Sequence, residues 1–445
     1  MVANAADKIY INPKGFFDWT GFSSQLFFLK GTLEKLQIEP QIFYAGKYKS
    51  ATEPFRTDKM SDENRLQTSV WLGDLYSHFL QTTAEARKTD TAMLHKLAAE
   101  AVIKNPKDAL DNKLVDGLKY DDEVRDEIKQ KLGLGKYDKI NFISLSSYFK
   151  TGSFRKHTGE KIALIYAQGD IIDGGSSEQG QIGSADYIKL IRKARLDKTI
   201  KAVVFRVNSG GGSALASETI WRELSLAKAE KPVVVSFGDV AASGGYYISC
   251  AADSIFASPV TITGSIGVFG IIPNMQGFFK NKLGVTFDGV KTAPYADLGV
   301  LYRPMNEGEK KIVQQSIDEI YLSFKQRVAD GRKKTVEYVD SIGQGRVWSG
   351  DKAIGLGLVD KSGGLQDAVE CAARMAKLSD YRLREYPETQ NVFDRLFGKT
   401  DNTLRSKAIK NELGEEQFKI YNELRRVKQM TNSAQTRLPF EFVID

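Results

Sequence analysis

Cysteine is nearly absent: Cys250 and Cys371 are the two in 445 residues. They stand far apart and in no spaced motif, so neither a disulfide framework nor a thiolate metal centre is indicated. Histidine is almost as scarce, with His78, His95 and His157 the three present. None has metal-ligand spacing, each reads as a surface residue, and none is placed to serve a Ser-His-Asp triad. No apolar run approaches the roughly 20 residues that a membrane helix needs, and residues 162–167 are strand-sized. Residues 1–7 carry no secretory signal pattern. One sign of charge is not in large excess either. A net +7 with a pI near 9.0, spread along the chain, suits an anionic membrane surface but does not indicate nucleic acid. What remains is ordinary: 42% hydrophobic and 27% charged residues, enough for a sizeable core and two or three domains.

The chain repeats itself. Ala5-Ala6-Asp7-Lys8-Ile9-Tyr10-Ile11-Asn12-Pro13 matches Ala251-Ala252-Asp253-Ser254-Ile255-Phe256-Ala257-Ser258-Pro259. Further on, Met60, Tyr76, Phe79 and Arg87 match Met305, Tyr321, Phe324 and Arg332, and Leu114-Val115-Asp116 matches Leu358-Val359-Asp360. Ordered matches at a nearly constant offset imply two copies of one unit, the second complete and the first lacking its front. The expectation is that further strands of the first copy precede Met1 in a longer chain. Four regions follow: 1–132 as the later part of the first copy, 133–160 as a linker, 161–385 as the second copy, and 386–445 as a helical tail with a short apolar end.

Strand-like stretches at 8–12, 41–45, 161–166, 201–207, 232–237, near Ile255 and near Val285 alternate with helical ones. The helical patterns fall at 22–36, 62–87, 93–103, 187–194, 218–230 and 307–334. The helix at 218–230 is capped near Ser213 or Ser217. Residues 174–180 read as a loop. This alternation predicts an α/β fold built on parallel strands.

The chemistry centres on Ala242-Ser243-Gly244-Gly245-Tyr246, where a β-branched strand hands over to a helical pattern. Ser243 reads either as a helix N-cap or as a nucleophile whose alkoxide is favoured by unpaired N–H groups at a helix start. Asn208-Ser209-Gly210-Gly211-Gly212-Ser213 also follows a strand and precedes a helix. It lacks the P-loop and dinucleotide spacings, and an oxyanion hole is its other reading. With no histidine available, a buried neutral lysine can act as base. Lys49, between Tyr48 and Ser50-Ala51 in a stretch of low charge, is the candidate; alone it reads as a surface lysine. Lys47 and Lys291 are the competitors. Aligning Gly289 with Gly46 places Thr292, not Lys291, opposite Lys49. Thr263-Gly264-Ser265-Ile266-Gly267 reads as a glycine turn or as a hydroxyl that holds the amine, with Ser265 the candidate. An apolar groove near 268–272 would favour hydrophobic peptides.

These motifs, with Gly46-Lys47-Tyr48-Lys49-Ser50-Ala51 running into Glu53-Pro54-Phe55, resemble the long tandem-repeat form of the signal peptide peptidase A family, peptidase family S49. The resemblance spans nearly the whole chain. It implies a Clp/crotonase-like fold and a serine endopeptidase that degrades released signal peptides and other small or unfolded peptides, without cofactor or metal. It implies Ser243 as nucleophile, Lys49 as general base and Ser265 as the residue that positions the lysine, with Gly212 and Gly244 as oxyanion donors. It further implies a homotetramer on the outer, periplasmic face of the bacterial inner membrane, held by an N-terminal anchor. Gly210 stands where the family has proline. The alternatives are a crotonase-like acyl-CoA enzyme, against which the missing acidic residue at a glycine-rich helix start speaks, and an inactive membrane scaffold of the same fold.

Overall fold

The structure, a computed structural model, describes residues 2–145, 147–148, 159–176, 180–387, 414 and 433–438. His157, residues 149–158 of the expected linker and most of the expected C-terminal tail lie outside the described residues.

In chain order the strands begin with β1 (Tyr10–Ile11), β2 (Glu39–Ala45), β3 (Gly117–Leu118), β4 (Glu160–Gln168), β5 (Asp170–Ile172) and β6 (Gln181–Gly183). There follow β7 (Ile200–Ser209), β8 (Gly211–Ser213), β9 (Val233–Ala242), β10 (Ser254–Ala257), β11 (Ile262–Gly264) and β12 (Val268–Asn274). The last are β13 (Val347–Ser349), β14 (Lys361–Ser362), β15 (Tyr381–Tyr386) and β16 (Gln435–Arg437). Residues group into two compact units, one of Met1–Gln25 with Ser69–Arg155, the other of Leu26–Thr68 with Lys156–Asp445. The lysine-bearing segment therefore belongs with the serine-bearing one.

In the first unit, β1 pairs with β3 in parallel. Trp19, Leu80, Leu94, Leu97 and Ile103 fill its core. The Trp19 indole N–H, buried with its ring, is satisfied by the Leu94 carbonyl at 2.9 Å.

The second unit is built on two sheets. One runs β13-β11-β9-β7-β4-β15, with β10 joined to β9 and β14. Its central strands β4, β7 and β9 are parallel and apolar on both faces, as expected where helices cover both sides. Side chains alternate along each strand. Ala163, Ile165, Val203, Phe205, Val233 and Val235 meet the core that includes the helices Ser184–Leu196 and Ala214–Glu230. Ile162, Leu164, Ala202, Val204 and Val234 face the helix Leu365–Met375. Each such buried side chain stabilises the fold by roughly 1.5–3 kcal/mol. The other sheet runs β2-β12-β16-β8-β5-β6.

The expected α/β class is the observed one, and the helix Asp62–Arg87 lies where its pattern places it. Three expectations change. The helix expected over 22–36 is confined to Lys30–Leu36, and residues 22–29 run as irregular chain. No strand forms near Val285: Gly284 takes a left-handed φ of +68° and Val285 is exposed, without a sheet edge to pair with. The helical pattern after Ser243 shortens to Gly244–Tyr247 before turns take over.

Candidate active site

Strand register alone brings three distant residues together. β11 runs parallel to β9 with Gly264 opposite Ala242, so the next residues, Ser265 and Ser243, leave the sheet side by side. β12 begins just after Ser265 and pairs antiparallel with β2, Val268 opposite Ala45. Following β2 forward is thus following β12 backward toward Ser265, and Lys49 arrives there four residues past Ala45.

The side chains meet. Lys49 Nζ lies 2.8 Å from Ser243 Oγ, 3.1 Å from Ser265 Oγ and 3.3 Å from the Ser265 carbonyl oxygen. All three residues are buried. Burial alone pushes the lysine pKa well below its ordinary value, because a charged amine loses its hydration there. Ser243 makes no capping hydrogen bond with its side chain, so the N-cap reading gives way to the lysine contact. For the helix Ala214–Glu230 the cap is Ser213, whose Oγ accepts the Ala216 N–H.

Both serines sit at unusual backbone angles. Ser243 has φ +53° and Ser265 φ +50°, a region costly for a side chain by about 1–3 kcal/mol unless the surroundings fix it. Here they do: the Ser243 N–H donates to the Gly264 carbonyl at 2.8 Å and the Ser265 N–H to the Arg346 carbonyl at 2.7 Å. The lysine loop is clamped likewise. The Tyr48 N–H donates to the Gln344 carbonyl at 2.8 Å, and a Cβ on Gly345 would fall 2.6 Å from the Lys49 nitrogen. Gln344, Gly345 and Arg346 had no motif to announce them; only the fold shows what they support.

The competitors separate cleanly. Lys47 is exposed beside the Tyr48 ring. Lys291 lies at the surface and pairs with Asp297 at 2.9 Å. Thr292 is exposed.

The glycine loop forms β8, and β16 pairs with it antiparallel, Thr436 opposite Gly212. On its other edge β16 pairs with β12, Gln435 opposite Phe269. An extended backbone therefore fills the gap between β8 and β12. The Thr436 carbonyl oxygen lies 1.9 Å from where a Cβ on Gly211 would be and 3.0 Å from one on Gly244. A peptide carbonyl thus rests against these two glycines and leaves no room for side chains. Gly211, the middle glycine of that run, lies beside Gly244. Gly210 differs: a Cβ there would meet Leu438 at an ordinary 3.7 Å, so a bulkier residue fits. Asp170 holds the β16 side chain Arg437, its Oδ2 2.8 Å from Arg437 Nη2.

The model of peptidase family S49 matches residues 1–135 and 225–379. The chain belongs to peptidase family S49. Its two matched segments agree with two copies of one unit. Protease 4 of Salmonella typhi is 40% identical over 414 residues, covering 91% of this chain and 66% of that protein. Protease 4 of Haemophilus influenzae is 38% identical, covering 84% and 62% respectively. The chloroplastic serine protease SPPA of Arabidopsis thaliana is 34% identical, covering 84% and 56%. The chain spans less than two thirds of the length of each. Among solved structures, a ClpP1 mutant from Listeria monocytogenes shows a likeness at TM-score 0.31 and 16% identity, covering 46% of this chain and 94% of that one; at that score the likeness decides nothing. Among the described residues no helix is long and apolar enough to cross a membrane.

Proposed function

We propose that this chain carries the catalytic centre of a serine endopeptidase working through a Ser243–Lys49 dyad. The reading rests on one observation, the buried Lys49 amine 2.8 Å from Ser243 Oγ. A neutral amine donates to the Ser265 oxygens and accepts the Ser243 proton as Oγ attacks a peptide carbonyl. Backbone N–H groups of Gly212 and Gly244 stabilise the resulting oxyanion. The ammonium then protonates the leaving amine, and an acyl-enzyme remains on Oγ. Water, deprotonated by the same amine, hydrolyses that ester and restores Ser243. Ser265 positions the lysine throughout.

The substrate is an extended peptide laid between β8 and β12 as an added strand. The β16 backbone supports this, since a peptide carbonyl already fits against Gly211 and Gly244. Released signal peptides and other small or unfolded peptides, taken by an assembly at a membrane surface, are the substrates and setting that the family resemblance favours. The decisive experiment is labelling by a fluorophosphonate probe together with peptide cleavage, across pH, in the full-length protein. Labelling falls on Ser243, is lost in Lys49→Ala with the fold intact, and rises with pH as the amine loses its proton. Unchanged labelling of Lys49→Ala removes the lysine from the mechanism.

A further inference from the structure

We propose that Gln67 is a positioning residue of this site, its side-chain amide fixing the lysine loop to the strand that supports Ser265 and so setting the amine's distance from the two hydroxyls. This rests on the Ser243–Lys49 reading. Gln67 lies in the second turn of the helix Asp62–Arg87 and is fully buried. Its Nε2 donates to the Tyr48 carbonyl and to Ser50 Oγ, each at 3.0 Å. These are the two residues that flank Lys49. Its Oε1 accepts the Val347 N–H at 3.2 Å. Arg346, one residue earlier, gives its carbonyl to the Ser265 N–H at 2.7 Å. Ser265 Oγ in turn meets Lys49 Nζ at 3.1 Å. The links close a ring from the lysine backbone through Gln67 and Arg346 to the lysine amine.

The donor and acceptor ends of one amide are thus spent on opposite sides of the ring. Asn64 braces it, accepting a longer bond from Nε2 at 3.4 Å and donating to Glu53 Oε2 at 2.8 Å. The loop does not depend on Gln67 for its existence, because Tyr48 and Gly345 already clamp its other side. What the amide adds is a fixed spacing, and a reacting group misplaced by about 1 Å loses up to a hundredfold in rate.

Charged groups stand on several elements around the loop. Glu53 and Arg56 are on its own segment, 3.9 Å apart. Arg346 lies over the Tyr48 and Trp348 rings. Lys325 and Asp340 pair beside Tyr321, whose hydroxyl accepts the Gln344 N–H. Among the described residues, only Ser243 and Ser265 hydrogen-bond the amine. Slack in the ring therefore admits water rather than a new ion pair, and water favours the protonated amine.

The test measures kcat, KM, pH profile and fluorophosphonate labelling of Gln67→Met and Gln67→Glu in the full-length protein, beside Ser243→Ala and Lys49→Ala. Gln67→Met keeps the volume without the hydrogen bonds; Gln67→Glu keeps the shape and one acceptor but, ionised, cannot donate. Both are expected to lower kcat about tenfold with KM within about twofold, and to move the rising limb of kcat/KM to higher pH. A role in stability alone lowers Tm and leaves kcat and the limb at wild-type values, which overturns the proposal. If circular dichroism shows Gln67→Met unfolded, Gln67→Glu decides; unfolding of both also overturns it, since the residue is then structural. Turnover retained in Ser243→Ala or Lys49→Ala means that the dyad reading has failed. Dead dyad variants beside wild-type Gln67 variants mean that only this inference has.

Discussion

In the first copy the Ile9 N–H donates to Asp116 Oδ2 at 2.8 Å, and in the second the Ile255 N–H donates to Asp360 Oδ2 at 2.7 Å. The return bonds, from the Asp116 N–H to the Ile9 carbonyl and from the Asp360 N–H to the Ile255 carbonyl, match as well. Arg87 pairs with Asp116 and Arg332 with Asp360. Tyr76 and Tyr321 each turn a hydroxyl to the residue 19 further on, His95 and Asp340. The two copies thus share a clasp of strand, aspartate and arginine. Their glycine loops do not match. A Cβ on Gly46 would fall 2.5 Å from the Gln344 backbone, whereas one on Gly289 meets nothing within 4 Å. The packed loop buries Lys49; the open one leaves Lys291 in solvent. The two copies share the scaffold, and packing against one loop decides which lysine is buried.

The largest expected effect breaks this comparison directly. Lys49→Ala should lower turnover about a thousandfold or more, as loss of a catalytic base does, while Lys291→Ala and Lys47→Ala stay within about twofold. Assays of peptide cleavage decide it, and comparable losses at Lys291 would dissolve the contrast. Next, the clasp should be worth about the same in both copies. Asp116→Ala and Asp360→Ala should each cost about 1–3 kcal/mol, the scale for an unmade hydrogen bond to a charged group, read by thermal or urea unfolding. The Arg87 hydrogen bond, then the Ile9 N–H, holds the Asp116 carboxyl below its usual range. Its stabilisation is present above the unfolded value near ~4 and is lost as pH falls through the lower folded value.

Lys49 should follow pH in the same direction but in a higher window, and as a cost rather than a gain at neutral pH. The unfolded chain binds the lysine proton below about 10.5, while the folded pKa lies lower. Stability from this position therefore falls as pH drops from 10.5 toward the folded value. Lys49→Met should raise Tm at neutral pH, with the gain shrinking on approach to pH 10.5, whereas Lys291→Met should give no such gain. A Tm difference independent of pH would remove the uncharged amine from the account. The smallest effect concerns the gap between β8 and β12. Asp170→Asn should weaken any preference for a basic residue at the place taken by Arg437 by about 3- to 10-fold, measured with paired Arg and Gln peptides.

Much of the site was legible along the chain because turn chemistry is local. Ser243 with its two glycines, Ser265 after Gly264, and the glycine run before Ser213 each announce a tight backbone through residue type alone. Lys49 was legible only through its surroundings of low charge and through the family resemblance. The clamp at Gln344, Gly345 and Arg346 and the role of Gln67 left no trace, because their bonds cross some 280 residues of chain. The missing strand near Val285 and the short helix at Lys30–Leu36 fail for a related reason: apolar residues promise burial without naming their partner.

By itself the sequence determined the alternation of strands and helices, the duplication and the residue types able to do serine–lysine chemistry, since these follow from side-chain period and backbone freedom at single positions. Only the tertiary structure decided which lysine is buried beside Ser243. That depends on what excludes water from an amine, and exclusion is the work of β2, β12 and the turn at Gly345 closing together.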